Sequence, residues 1–347
     1  MADQPQGRSR VSTINDVAAK AGVSVATVSR ALRGLDRVSA ATRERVIRVA
    51  EELEYVASPT ATSLASGRTR VVGVIAPFLT RWFFVTLVSA IEKTLRQHGH
   101  HVLLLDLEAD TFDERLTLTP DLLWKRVDGL IALNLPIHPE ELELIDRLDL
   151  PLVAIGTPIP GRRCVRIDDA GAMHTATEHL ISLGHTEIGY VGAVPSNAAH
   201  IQTPQERLRA FHQSMAQAGL PVRRDWVLGS DWTAEAAASD AERLLRSAHR
   251  PTAVVAASDE IAIGVQAAAR RLGLRLPEDL SIIGIDDYVL SEVLGITTVR
   301  QDVSAQGARA AQILLSTLGI GASEDEREGE VLMPTQLVIR ESCAAPS

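Results

Sequence analysis

From Val71 onward, short apolar runs alternate with amphipathic stretches, and this alternation limits the possible folds more than any other feature of the chain. VVGVIAP precedes a helical pattern near 84–97, HVLLLDL one near 113–124 and GLIALNL one near 139–147, while LVAIG leads into a loop. VRID is followed by a helix near 170–182, IGYVG by one near 205–217 and AVVAAS by one near 260–271. SIIGID closes the alternation, ahead of a helix near 303–316 and a last strand, LMPTQLVIR. Runs that are apolar at every position are buried on both faces, and helices between them imply parallel sheets with right-handed crossovers. A break around Cys164 and a return near Tyr288 predict two doubly wound α/β lobes that exchange strands near 164 and 288.

The segment before Val71 is of a different kind. Thr13 and Asp16 have capping-box spacing, and Ile14, Val17, Ala18 and Ala21 recur at helical intervals, which predicts a helix over about 14–21. Gly22 stops it, and Ser24 caps a second helix, VATVSRAL, with Val25, Val28 and Leu32 as its buried stripe. The tight AGVS turn lets the second helix leave steeply and face outward, as in a helix-turn-helix. Ser39 caps a third helix whose Val46, Val49, Ala50 and Leu53 close a small all-α core. Ser58-Pro59 then opens TATSLASG, a run too short and too poor in core residues to be a stable helix alone. The expectation is a hinge that a partner orders, with Leu64 as an apolar side chain able to wedge between base steps in a minor groove.

Charge follows the same division. The whole chain of 347 residues has a formal net charge of -9, which alone does not suggest nucleic acid. Residues 1–70, however, hold 11 Lys+Arg against 7 Asp+Glu, net +4, and the remainder holds 24 against 37, net -13. A basic head on an acidic body can approach phosphates without coating DNA indiscriminately. At 46% hydrophobic the chain has material for large cores, and no stretch reaches the ~18 apolar residues of a membrane span. The opening MADQPQGRSRVSTIND lacks the apolar run of a signal peptide, so a cytoplasmic protein with no membrane partner is expected. Cys164 and Cys343 lack CxxC spacing and read as incidental thiols.

In open parallel sheets a ligand sits beyond the carboxyl ends of the strands, and two lobes make that region a cleft. Trp82, Phe83 and Phe84 follow the first strand, Arg207 opens a helix, and Trp232 follows LGSD. Ser258 and Asp259 end one strand, and Asp286 and Asp287 another. Rings, a guanidinium and carboxylates suit a polyhydroxylated ring, whose C–H face stacks and whose hydroxyls pair. Phe83, Phe84 and Trp232 also read as ordinary core or rim residues.

The stretches TINDVAAKAGVSVATVSRAL, VSAATRERVIRVAEELEYV and SLASGRTRVVGVIAP, followed in order by GHTEIGYVG, ASDEIAIG, LPEDLSIIGIDD and GITTVRQD, resemble the lactose/galactose repressor (LacI/GalR) family of bacterial transcription regulators. The resemblance covers roughly residues 12–340. It implies a helix-turn-helix DNA-binding domain over 12–57, a hinge helix and linker over 58–70, and over 71–340 a ligand-binding and dimerisation domain of the two-lobed periplasmic-binding-protein type I architecture. By position it implies that Val25 and Ala26 read bases in the major groove and that Arg30 makes a base or backbone contact. Thr13, Ser24, Thr27 and Ser29 then hold phosphates, while Ala61 and Leu64 match the minor-groove pair. For the effector it implies Arg207, Trp232, Ser258 and Asp286, with Phe84 lining the opposite lobe beside Phe83. The chain departs from the family where Ala57-Ser58 replaces Pro-Asn, Thr62 replaces Arg and Ser258 replaces Asn.

An enzyme is disfavoured. Neighbouring acids such as Asp168-Asp169 and Asp286-Asp287 point to opposite faces of a strand, and GxSxG, HExxH, GxGxxG and Walker motifs are missing. No cofactor is expected. His185 reads as a turn histidine, and the His98, His100, His101 cluster as a weak metal candidate. The expected function is a homodimeric, ligand-responsive repressor of sugar-utilisation genes that binds a near-palindromic operator and is released by a small sugar. A nucleoside or purine effector is the alternative. An exported sugar-binding transport protein shares the body but has no use for residues 1–70. ESCAAPS after Arg340 offers no heptad helix for a tetramer.

Overall fold

The computed structural model describes residues 12–55, 67–77, 79–107, 116–193, 202–321 and 329–347. It contains two compact units, Met1–Thr69 and Arg70–Ser347.

In the first unit α1 (Ile14–Ala21), α2 (Val25–Leu32) and α3 (Ala40–Glu52) form a three-helix core. The Asp16 carboxylate accepts from the Thr13 N–H (2.8 Å) and hydroxyl (2.7 Å), tying down the start of α1. Gly22 ends α1 in the left-handed region at φ +66°, where a side chain would be strained, and Val23 N–H closes onto Ala18 O. Ser24 and Ser39 then accept from Thr27 N–H (3.2 Å) and Thr42 N–H (3.3 Å). Val17, Val28 and Val46 are completely buried at the centre. One sequence expectation is corrected: Val25 is 40% exposed, and Ala31 takes the inner position beside Val28. Ala31 lies three residues from Val28, on the same face, whereas Val25 sits in the first turn where α2 projects from the core.

The second unit has two six-stranded sheets with helices on both faces. The first lobe runs β1 (Val71–Ala76), α4 (Trp82–Gln97), β2 (His101–Asp106), α5 (Pro120–Leu123), β3 (Gly129–Leu133), α6 (Pro139–Arg147), β4 (Leu152–Ile155) and β5 (Arg163–Ile167). The second runs α7 (Asp169–Ser182), β6 (Ile188–Gly192), α8 (Gln202–Gln217), β7 (Val227–Gly229), α9 (Ala234–Leu245), β8 (Ala253–Ala256), α10 (Asp259–Arg271), β9 (Ser281–Asp286), α11 (Val289–Val293) and β10 (Thr297–Gln301). The chain then returns through α12 (Val303–Thr317), which packs on α4, to β11 (Gly329–Met333) in the first sheet and β12 (Thr335–Val338) in the second.

The sheet orders are β11-β5-β4-β3-β1-β2 and β12-β10-β9-β8-β6-β7, parallel throughout except for β12 on β10. Side-chain alternation explains the two-sided burial: Val72 and Val74 pack with Leu87, Ile91 and Leu314, while Ile75 packs with Leu123 and Ile145 on the other face. Each such fully buried aliphatic contributes about 1.5–3 kcal/mol.

Four details differ from the sequence expectation. The first crossing follows Ile167, within a few residues of Cys164, but the return comes after Gln301 and not near Tyr288. TTVRQ is a buried strand, although its leading residues are threonines: Thr298 donates to Asp259 (2.7 Å), and Arg340 N–H donates to Thr297 (3.0 Å). LMPTQLVIR is two strands in different sheets, because Pro334 has no N–H for a ladder and the chain crosses between the lobes a third time there. The helix expected near 113–124 is described only as Pro120–Leu123.

Candidate functional site

Strand order reverses between β1 and β3 in the first sheet and between β6 and β8 in the second. Loops diverge at such switch points and leave a crevice beyond the carboxyl ends of the strands. The crevice residues are best built outward from Arg207.

Arg207 lies in the second turn of α8 and is 3% exposed. Its Nε donates to Asp169 Oδ1 (2.8 Å), its Nη2 lies 2.7 Å from the same oxygen, and its Nη1 donates to the Ala257 carbonyl at the end of β8. Asp286 Oδ1 stands 4.0 Å from Nη1, and the Trp232 ring centroid 5.8 Å from Cζ. Burial opposes the arginine's charge, but Asp169 and then Asp286 more than offset it, so its pKa is raised. Sequence reasoning placed Arg207, Trp232 and Asp286 in the cleft, and the fold brings these three together. It missed that Asp169, 38 residues away and in the first turn of α7, is the main partner of Arg207.

Asp286 ends β9 with φ +128°, followed by Asp287 at +58°. These turns separate the two carboxylates. Asp287 pairs with Arg300 and Arg340 at 2.6 Å each, whereas Asp286 accepts from Gln301 Nε2 (2.6 Å), and Gln306 holds Gln301 in turn (2.8 Å). Burial pushes the Asp286 carboxyl up to about 7; Arg207 and Gln301 lower it, while Asp259 and Glu260 raise it. Asp168 and Asp169 diverge likewise, Asp168 capping α7 through Gly171 N–H (2.9 Å). Neither acid pair has the shared geometry of a catalytic couple.

Ser258 is the N-cap of α10, its hydroxyl accepting from Ile261 N–H (3.3 Å). Asp259, buried beside it, accepts from Tyr288 N–H (2.9 Å), Ser291 (2.6 Å) and Thr298 (2.7 Å), and so fixes the loop after β9. Gly284 is needed there, since a Cβ would collide with the Asp259 carboxylate.

From the first lobe, Phe84 turns into the core and Phe83 packs edge-to-face on it (5.3 Å, 87°). The aromatic that meets the second lobe is Trp82, with its ring 5.1 Å from that of Tyr288. Arg81, at the start of α4, interacts with Glu260 and Asp231 of the second lobe. Asn134 accepts from Thr157 (3.0 Å) at the ends of β3 and β4. Two hydroxyls missed by sequence reasoning, Tyr190 and Ser230, are buried without a hydrogen-bond partner among the described residues, and both lie beside Gly192.

In the head, Thr13, Ser24, Val25, Ala26 and Arg30 are exposed, and Thr27 and Ser29 are half-buried. The Arg30 side chain makes no hydrogen bond or ion pair among the described residues. Ala61 and Leu64 lie outside the described residues. His185 is satisfied by Thr252 (2.9 Å), Ser281 (3.0 Å) and Ala344 O (2.9 Å), and burial lowers its pKa. Among the described residues no group of three His, Cys, Asp or Glu side chains is placed to hold a metal, and no helix is long and apolar enough to cross a membrane. Cys164 and Cys343 are free thiols.

Comparison with known proteins gives two matched models: "Bacterial regulatory proteins, lacI family" over residues 13–58 and a periplasmic binding protein-like domain over 177–343. The HTH-type transcriptional repressor PurR of Vibrio parahaemolyticus serotype O3:K6 is 31% identical over 336 residues, covering 95% of this chain and 98% of the relative. Among solved structures, the lac repressor dimer bound to operator and the anti-inducer ONPF superimposes with TM-score 0.85 at 27% identity, covering 97% of this chain and 100% of the other. A complex of the transcriptional regulator CelR with cellobiose gives TM-score 0.69 at 28% identity over 95% and 99% of the two chains. Similarity of this extent, running from the three-helix head through both lobes, means that the chain belongs to the LacI family of bacterial transcription regulators.

Proposed function

We propose that this chain is a homodimeric repressor that reads a near-palindromic operator through the exposed face of α2 and releases it when a small sugar occupies the cleft. The observation that carries this reading is the cluster around Arg207: a buried, charged guanidinium held by Asp169 and facing Asp286, with Trp232 beside it. Such a set can pair adjacent hydroxyls while the indole stacks on a ring face. Two symmetry-related heads are required because one small head makes too few contacts to select a unique site. The CelR complex with cellobiose supports a sugar effector, and the PurR relative supports the second reading, a purine or nucleoside.

The test is fluorescence anisotropy with an operator selected from random DNA, repeated with neutral sugars, nucleosides and purines. A sugar that weakens operator binding and fails to do so in Trp232→Ala is the expected result. A purine that strengthens binding would establish the second reading instead.

A further inference from the structure

We infer that Gln306 is a positioning residue for Asp286: from a helix packed on the first lobe, it holds the Gln301 amide that donates to this carboxylate of the second lobe. Its bearing on the effector rests on the cleft reading above, in which Asp286 pairs with the ligand.

Three side chains form a relay. Gln306 Nε2 donates to Gln301 Oε1 (2.8 Å), and Gln301 Nε2 donates to Asp286 Oδ1 (2.6 Å). Gln306 and Gln301 are buried, at 1% and 6% exposure, so neither bond can be lost to water without cost. An amide has a donor end and an acceptor end. With Gln306 offering an N–H, Gln301 turns its oxygen to Gln306 and its N–H to Asp286. Freed from Gln306, the Gln301 amide can turn over and present its oxygen, which only a protonated carboxyl satisfies. Gln306 thus selects the ionised, accepting form of Asp286. The charged groups that face this carboxyl are Arg207 on α8, which favours ionisation, and Asp259 and Glu260 on α10, which oppose it. Asp287 is turned away onto Arg300 and Arg340.

The relay passes from one lobe to the other. Gln301 ends β10, the neighbour of the strand that carries Asp286. Gln306 lies in α12, whose Val303 and Leu314 are buried with Leu87 and Ile91 in the first lobe. Between strand and helix stands Asp302, which caps α12 through Ala305 N–H (2.8 Å). Gly307 sets how α12 seats on α4: a Cβ there would lie 2.8 Å from Leu87 O and 3.1 Å from Ala90 Cβ. That seating fixes where Gln306 reaches, so a first-lobe contact governs an acid of the second lobe.

Urea unfolding of the full chain between pH 5 and 9 tests this, through the stability of Asp286→Asn relative to its parent. That difference grows with pH and levels off at the folded pKa of Asp286, about 7. In the Gln306→Met background, which keeps the size and loses the donor, the levelling is expected about one pH unit higher, because a hydrogen bond to a charged acceptor is lost. Gln301→Met is expected to move it likewise, and Gln306→Met added to Gln301→Met to move it no further. Gly307→Ala, which leaves the three relay side chains unchanged but unseats α12, is expected to move it in the same direction. An unmoved levelling in Gln306→Met overturns the inference, since a merely structural role lowers stability equally at every pH. Additive movement in the double variant overturns it too, because Gln306 would then act without Gln301. An unmoved levelling in Gly307→Ala overturns the dependence on the first lobe. Failure of the cleft reading looks different: the levelling moves as expected, yet calorimetry shows that cellobiose or adenosine, whichever the parent binds, binds Asp286→Asn equally well.

Discussion

Arg166 on β5 and Glu206 on α8 form a 2.5 Å ion pair across the point where the chain first passes from one lobe to the other. Both side chains are nearly buried, at 10% and 11% exposure. The pair sits in a wider set: Arg166 Nε donates to Ile167 O, Gln202 donates to Glu206 (2.6 Å), and Glu330 on the returning strand β11 lies 3.9 Å from Arg166. Glu206 immediately precedes Arg207, so one turn of α8 grips both the crossover and the cleft.

Removing one partner of such a pair strands a buried charge. Glu206→Leu alone should therefore destabilise the second unit by about 3–5 kcal/mol, while Arg166→Met/Glu206→Leu should recover most of that loss. Urea unfolding of the three chains is the check. A double variant as unstable as the single one would mean that the pair's value lies in the wider hydrogen-bond set.

Asp286 gives stability a pH dependence of its own. Its folded pKa, about 7, is raised above the ordinary 3.8 by burial, so the native state holds the proton more tightly than the unfolded chain. The contribution is fully present below pH ~4 and is lost as pH rises through about 7. Asp286→Asn removes the titration and keeps the shape. It should gain stability relative to the parent between pH 5 and 8, seen as a urea midpoint difference that moves in favour of the variant. A constant difference over that range would show that Asp286 is ionised throughout.

The head supplies a separate prediction. Arg30 is exposed on the same outward face of α2 as Ala26 and its side chain has no partner among the described residues, so its fork is available to a base edge. Arg30→Ala should cost about 1–3 kcal/mol against the selected operator and relax specificity at one position in each half-site. Binding to random DNA should change little. Equal loss on operator and random DNA would assign Arg30 to the phosphate backbone.

Local chemistry made much of this molecule legible in the sequence. Ser24, Ser39 and Gly22 announce helix ends because caps act within three or four residues, and runs such as VVGVIA announce buried strands because every residue in them is apolar. Arg207, Trp232 and Asp286 stand out as polar or aromatic residues beside such elements. What was not legible depends on distant partners. Nothing near Thr297 or Thr298 indicates a buried strand, because their hydroxyls are satisfied by Arg340 and Asp259, dozens of residues away. The Asp169–Arg207 pair is hidden for the same reason. That Trp82, not Phe84, meets the second lobe depends on the rotation of α4, which a run of three aromatics leaves open.

The proposed switch depends on the lobes acting as a two-state device. β1 starts directly after Arg70, so any motion of the first lobe is delivered to the chain leading from the head. A ligand that engages Arg207 and Asp286 in the second lobe and Trp82 in the first favours one spacing of the lobes. It can alter operator affinity only by the ratio of its affinities for the two arrangements. For a coupling of about 1–3 kcal/mol, operator affinity should change roughly 5–150-fold on saturation. Trp232→Ala should reduce the response to less than about twofold, the limit of a coupling near zero. Ligand-free operator binding should be unchanged, because Trp232 belongs to the second unit and not to the head. The measurement is an operator titration at zero and saturating ligand for parent and variant. A full response in Trp232→Ala would remove the indole from the effector site, and lost operator binding without ligand would make its role structural.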